Sequence, residues 1–315
     1  MEELHWTRRS FLKNTLAGGA LLALGIKSDS VYAKDDLVKL TILHTNDVHS
    51  RIDPFPMDGS KYQGRGGVAP RAALINKIRS EEENVLLFDA GDIFQGTPYF
   101  NFYGGELELK MMSMMGYDAG IMGNHDFDNG VEGFYKQLPH ANFPILTANY
   151  DLSDTLLHDK TRPYKIFKKD GLKIGVFGLC IELEGLVNKV QYGNTRYLDP
   201  LEKALKIEDM LKNEHRCDLI ICLSHLGFDY RDNKVSDKVI AANTHHIDLI
   251  IGGHTHTFLP EPFVAKNLSG KETLVNQVGF AGINLGRIDF IFKRYRSEKL
   301  SYSTSLQPVN NNFEI

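Results

Sequence analysis

Nine short runs of apolar, largely β-branched residues recur along the chain, at 37–43, 85–88, 119–122, 145–148, 173–179, 219–223, 247–251, 273–278 and 286–292. Most are continuously apolar rather than alternating, which is the pattern of strands covered on both faces. Helical spacing lies between several of them. Residues 68–82 place Ala72, Leu74, Ile75 and Ile78 on one face, and 106–115 and 201–213 are two further helices. Strand and helix signals in alternation predict an α/β layered fold. Beyond 292 the sequence turns polar and is too short for another domain, and no Pro/Ser linker interrupts 36–292. One domain, 34–315, is the economical reading.

The first 33 residues have a different pattern. Thr7-Arg8-Arg9-Ser10-Phe11-Leu12-Lys13 precedes a modest apolar run, and Val31-Tyr32-Ala33 ends it with small residues at a plausible cleavage point. Spanning a bilayer takes ~20 apolar residues, more than this run supplies. Twin arginine followed by Ser-Phe-Leu-Lys reads as a Tat-type export signal, with delivery to the periplasm and no stable membrane insertion after cleavage. Without residues 1–33 the chain loses four basic and three acidic residues and carries a net charge of −5. No basic stripe is present, so a nucleic-acid polymer is not an expected partner. Cys180, Cys217 and Cys222 are too few and too widely spaced for a disulfide framework or a thiolate metal site.

Polar residues able to bind metal follow five of the apolar runs. They are Asp47 and His49 after the first, Asp92 after Gly91, Asn124 and His125 after Gly123, His225 after Ser224, and His254 and His256 after Gly252-Gly253. In an extended backbone, i and i+2 side chains point the same way, which would aim Asp47 with His49 and His254 with His256. Ligand sites in α/β sheets gather outside strand carboxyl ends. A crowd of carboxylate, amide and imidazole there suits a dinuclear hydrolytic metal site. A mildly acidic chain acting on anionic phosphates needs such local positive charge.

Asp-x-His, Gly-Asp, Gly-Asn-His, a lone His and Gly-His-x-His, in that order over 39–292, resemble the calcineurin-like metallophosphoesterases. Leu43-His44-Thr45-Asn46-Asp47-Val48-His49, Gly91-Asp92-Ile93-Phe94-Gln95-Gly96-Thr97 and Gly123-Asn124-His125-Asp126-Phe127-Asp128 look most like the 5′-nucleotidase group. The resemblance implies a four-layer sandwich of two mixed β-sheets flanked by helices. It implies two divalent metal ions of the Zn, Mn, Fe or Co type, one held by Asp47, His49 and His256, the other by Asn124, His225 and His254, with Asp92 bridging. Two cations ~4 Å apart acidify a shared water, which attacks phosphorus in line with the leaving oxygen. His125 would stabilise the transition state and protonate the leaving group, with Asp128 orienting its ring. The expected activity is hydrolysis of phosphate monoesters, nucleoside 5′-monophosphates first. Cyclic nucleotides, nucleotide sugars and thiosulfate esters are alternatives on the same site, and a non-catalytic subunit is the alternative of another class.

Other residues read more plainly. Asp89 and Asp126 are structural or support the ligands, and His44 is a hydrogen-bonded core residue. His245 and His246 form a solvated helix end, and His140, His158 and His215 lie on the surface. Gly64-Arg65-Gly66-Gly67 lacks a preceding strand and the P-loop Lys-Ser/Thr, so it is a structural turn opening a helix. Met111, Met112, Met114 and Met115 are helix packing. Many 5′-nucleotidases carry a second domain that stacks the nucleobase. The chain ends before such a domain could form, so the expectation is either a separate polypeptide supplying that half or broader specificity.

Overall fold

The computed structural model describes residues 36–232, 234–294 and 298–310. The export-signal reading of 1–33 lies outside the described residues. Fourteen strands occur among the described residues, twelve of them in two six-stranded sheets.

The first sheet has the order β14 (Glu298–Pro308), β13 (Asn284–Lys293), β1 (Leu37–Thr45), β2 (Val85–Asp89), β3 (Ala119–Ile121), β4 (Ile145–Leu146). Strands β1 to β4 run parallel, while β13 and β14 are antiparallel additions. The second sheet has the order β11 (Phe263–Lys266), β12 (Glu272–Asn276), β10 (Leu249–Gly252), β9 (Leu219–Ser224), β7 (Leu172–Leu179), β6 (Tyr164–Lys169). Its four inner strands are parallel and its two edges antiparallel. Strands β5 (Tyr150–Asp151) and β8 (Arg196–Tyr197) form a small separate pair.

The pleat sorts neighbouring side chains to opposite faces. Leu86 and Phe88 join Ile174, Ile221 and Ile251 in a core between the sheets. Leu87 turns the other way, onto helices α1 (Val68–Glu81) and α3 (Glu106–Met115), which precede and follow α2 (Pro98–Tyr103). The outer face of the second sheet packs Ile220, Cys222 and Ile250 against α6 (Pro200–Asp209) and α7 (Asp237–Ala242). The helices α4 (Gly130–Gln137) and α5 (Lys189–Tyr192) fall between. The result is four layers, helix, sheet, sheet, helix, as the α/β sandwich requires.

All nine predicted strands are present. The additional ones in the two large sheets, β6, β11 and β14, are half-exposed sheet edges with no continuous apolar run to mark them, and the two-residue strands β5 and β8 were likewise not predicted. The polar segment after 292 is therefore not a tail. It pairs with β13 from Asn284↔Pro308 to Lys293↔Glu298. The predicted helix at 201–213 ends as a regular helix at Asp209 and continues through a wider turn, Met210–Glu214. All three cysteines are buried and free. Among the described residues no helix is long and apolar enough to cross a membrane.

Candidate metal centre

The carboxyl ends of β1, β2 and β3 in one sheet and of β9 and β10 in the other converge on one place. Each chain segment leaves its strand through a sharp turn. Asp47, His49, Asp92, His254 and His256 all have φ between 50 and 70°. The extended geometry expected for the two i, i+2 pairs is therefore replaced by left-handed backbone. Such residues cost about 1–3 kcal/mol each and persist only when surroundings over-determine them. Here main-chain bonds do so. Asp47 N–H donates to Gly91 O at 2.9 Å, His49 N–H to Asp92 O at 3.0 Å, and Ala281 N–H to Asp47 O at 2.7 Å.

Two donor groups result. Asp47, His49 and His256 offer ligand atoms all within 4.8 Å of one another, and so do Asp92, His225 and His254. In the first, His49 Nε2 lies 3.1 Å from His256 Nε2, and His256 Nε2 lies 3.3 Å from Asp47 Oδ1. In the second, His225 Nε2 lies 3.2 Å from Asp92 Oδ2. Asn124 Oδ1 is 2.9 Å from His254 Nδ1, which adds it to this group. Asp92 joins the two, since its Oδ2 is also 3.8 Å from His49 Nε2. All seven residues expected as ligands are thus brought together.

The donor chemistry fits divalent cations. His225 Nδ1 lies 2.6 Å from Ala90 O, a bond in which the nitrogen donates. Its Nε2 is buried and has no hydrogen-bond partner. A lone pair beside a carboxylate calls for a proton or a metal ion. Burial works against the His225 imidazolium, but Asp92 outweighs it and raises the pKa to about 10. Burial works against the Asp92 carboxylate too, and His225 more than offsets it, holding the carboxyl below its usual range. His254 goes the other way, lowered to about 4 by burial and then by His225. A metal displaces the proton at such sites. Oxygen and imidazole donors without thiolate suit Zn²⁺, Mn²⁺, Fe or Co²⁺.

His125 stands at the edge of this cluster, half-buried, its ring 5.3 Å from that of His49. Its main-chain N–H donates to Asp92 Oδ1 at 2.8 Å. Its Nδ1 lies 3.0 Å from Asp128 Oδ2, and that bond raises the imidazole pKa above its ordinary value. Asp126 is buried and accepts from Ile93 N and Phe94 N at 3.0 Å and from Gly123 N at 2.8 Å, tying two ligand turns together. Asp89 accepts from Thr45 Oγ1 at 2.6 Å and from Gly91 N at 3.0 Å. Both aspartates support the ligand turns rather than reach the cluster.

Two supporting residues were not singled out from sequence. Asn46 donates through Nδ2 to Asp47 Oδ2 and to Gly279 O, both at 2.6 Å, and accepts from Val278 N at 3.0 Å. Gln277 donates to Gly253 O and accepts from Thr257 N, bracing the His254–His256 turn. Gln277 and Asn276 are amides inside an otherwise apolar run, and that interruption was the available signal.

The remaining histidines lie elsewhere. His44 is buried in β1 with Nε2 3.1 Å from Asn276 Nδ2. The main-chain N–H groups of His245 and His246 donate to Glu208, and His215 pairs with Tyr164. Gly67 precedes α1 at φ 88°, as a structural turn. Met112 and Met115 pack in the core, but Met114 is 86% exposed, so the packing reading fails for it.

Comparison with known proteins agrees with this arrangement. The calcineurin-like phosphoesterase family profile matches residues 40–258. The chain belongs to that family. Among curated members it is 37% identical over 280 residues to a snake venom 5′-nucleotidase of Gloydius brevicauda, covering 81% of this chain and 45% of the relative. It is 35% identical over 305 residues to the 5′-nucleotidase of Vibrio cholerae, covering 88% and 52%. A solved 5′-nucleotidase precursor from Thermus thermophilus superposes with a TM-score of 0.78 at 32% identity, covering 87% of this chain and 55% of that one. This calcineurin-like chain spans about half the length of the curated relatives it matches.

Proposed function

We propose that the chain is an exported phosphoesterase with two divalent metal ions that hydrolyses phosphate monoesters, nucleoside 5′-monophosphates in particular. The observation that carries this reading is the pair of donor groups joined at Asp92, with His125 alongside. The substrate class draws on relatives named as 5′-nucleotidases. Export draws on the Arg8-Arg9 segment.

Asp47, His49 and His256 would hold one ion, and Asn124, His225 and His254 the other, with Asp92 shared. When bound, the ions supply Lewis acidity that activates water and neutralises phosphoryl charge. His125 carries the proton for the leaving oxygen, and Asp128 orients its ring and favours the imidazolium at neutral pH. The hydrogen bond from His125 N–H to Asp92 couples the acid's position to the bridging ligand.

Asp92→Asn is expected to reduce both metal equivalents together, because the bridge is shared. His125→Ala is expected to keep its metals while turnover falls ~10²–10⁴-fold. Elemental analysis of the two purified variants tests the assignment, and equal metal loss in both contradicts it. A phosphate-release panel of mononucleotides, cyclic nucleotides and nucleotide sugars tests the substrate class.

A further inference from the structure

The turn that carries His49 is fastened from two directions. His49 and Ser50 are successive left-handed residues, at φ 50° and 53°. Two such non-glycine residues in a row are unfavourable and must be held by their surroundings. One direction is the segment 93–97. Ser50 N–H donates to Ile93 O at 2.9 Å, His49 Nδ1 lies 3.3 Å from Phe94 O, and Thr97 Oγ1 donates to Ser50 O at 2.7 Å. The other direction is α3. The Ser50 hydroxyl donates to Glu108 Oε1, and Thr97 Oγ1 lies 3.1 Å from the same hydroxyl.

Glu108 is the residue that ordinary packing does not explain. It is only 4% exposed, on a helix whose neighbouring Leu109 and Met112 belong to the apolar core. Its second oxygen, Oε2, is buried with no hydrogen-bond partner among the described residues. Its place as third residue of α3 favours a negative charge, because main-chain N–H groups point that way. Even so, a leucine there would bury without the cost of desolvating a carboxylate. A residue that breaks the local pattern at such a cost marks a task. The space between helix and turn is about 10 Å³, room for about one water. Val48 and Ser50 line it from the turn, and Glu108 and Met112 from α3. The two elements therefore pack with little slack, and the Ser50–Glu108 bond fixes their register.

We propose that Glu108 is a positioning residue for one metal ion of the pair: through Ser50 it holds the His49 imidazole where a cation shared with Asp47 and His256 needs it. The proposal rests on the two-metal reading above and adds a residue outside the ligand set. Ser50 adjoins His49 in one tight turn, so freedom gained at the Ser50 side chain passes to the imidazole. The other donor group is braced elsewhere. His225 Nδ1 donates to Ala90 O, and Asp126 accepts from the turn that follows Asp92. The influence of Glu108 is therefore confined to the ion held by His49.

The test follows calorimetric titration of the metal-free full chain with Mn²⁺. Glu108→Leu keeps the bulk and removes the acceptor. It is expected to weaken one of the two Mn²⁺ equivalents ~10–100-fold, the cost of losing a group that orients a ligand, and to leave the other within about three-fold. Glu108→Gln still offers an oxygen to the Ser50 hydroxyl and is expected to keep both equivalents. Ser50→Ala breaks the same bond from its other end. It is expected to match Glu108→Leu, and the two changes together to cost no more than either alone. In a His49→Ala background, Glu108→Leu is expected to leave the remaining equivalent unchanged. Leu109→Ala, buried on the same helix, controls for general loosening of α3 and is expected to single out neither ion. A second readout needs no metal. Hydrogen exchange at the Ser50 amide, which is bonded to Ile93 O, is expected to quicken in Glu108→Leu and not in Glu108→Gln. Equal weakening of both equivalents by Glu108→Leu, no weakening of either, or an effect that persists without His49 overturns the positioning role alone. An unaltered chain that binds fewer than two Mn²⁺ overturns the two-metal reading as well.

Discussion

His44 shows how a single buried ring links the fold to pH. It sits under the first ligand turn, with no exposed surface, and burial lowers its pKa to about 3. Its Nε2 faces the Asn276 amide and therefore accepts, so protonation would also cost that bond. The sign follows from linkage. Folded chain keeps His44 neutral between pH 6.5 and 3, while unfolded chain binds a proton below about 6.5. Neutral His44 is thus fully compatible with the fold above that pH, and stability falls by about 1.4 kcal/mol per pH unit below it. Urea unfolding of the parent and of His44→Gln between about pH 6.5 and 4.5 is expected to show a slope shallower by one proton in the variant. Parallel slopes would reject the assignment. The catalytic candidates differ from His44 in having carboxylate neighbours. His125 has Asp128 and His225 has Asp92, and those carboxylates raise the imidazole pKa where burial alone lowers that of His44.

At the scale of elements, the strand-to-loop turns decide the site, and their glycines decide how closely they approach. A Cβ on Gly91 would fall 2.7 Å from Gly123 N and 2.9 Å from His225 Nδ1. One on Gly253 would fall 2.7 Å from Ala90 O and from His225 Nδ1. One on Gly123 would fall 2.2 Å from Asp92 Oδ1 and 2.6 Å from His225 Nε2. Three turns from three strands therefore close around one imidazole only because they lack side chains there. Gly123 has no positive φ in its favour, so Gly123→Ala tests the space alone. The expected outcome is an intact fold by circular dichroism with metal affinity down ~10–100-fold, the cost of disturbing groups that orient ligands. A chelator competition titration measures it, and unchanged affinity would show that the turns can part. The same turns account for much of what was legible at this scale. Their Gly-Asp, Gly-Asn-His and Gly-Gly-His patterns follow apolar runs and are local signals. The left-handed backbone of Asp47, His49 and His254 carries no such signal, because it is held by bonds to residues far along the chain.

At the scale of the whole molecule, the two sheets bring the ends of β1, β2 and β3 against those of β9 and β10. The core between them holds these ends together, with Phe88 from β2 meeting Phe167 from β6 at 5.7 Å between ring centroids. Phe88→Ala is expected to cost ~3–5 kcal/mol, as for other large-to-small changes in tight cores. Equilibrium denaturation measures it, and a loss under about 1 kcal/mol, below that range, would mean that the sheets repack. The donor groups draw on both sheets, since Asp47 and His49 come from the first and His256 from the second. Loosening the core is therefore expected to weaken metal binding along with stability.

The order of apolar runs and the polar residues that follow them are properties of the chain by itself, because burial on both faces demands continuous apolar strands. They gave the α/β class, nine strands and the strand ends at which the candidate ligands gather; the division into seven ligands came from the family resemblance. The edge strands, the turn conformations and the Asn46 and Gln277 braces depend on partners remote in sequence. Half-exposed edges need little apolar surface, and left-handed turns need distant hydrogen bonds. Only the assembled sandwich could decide them.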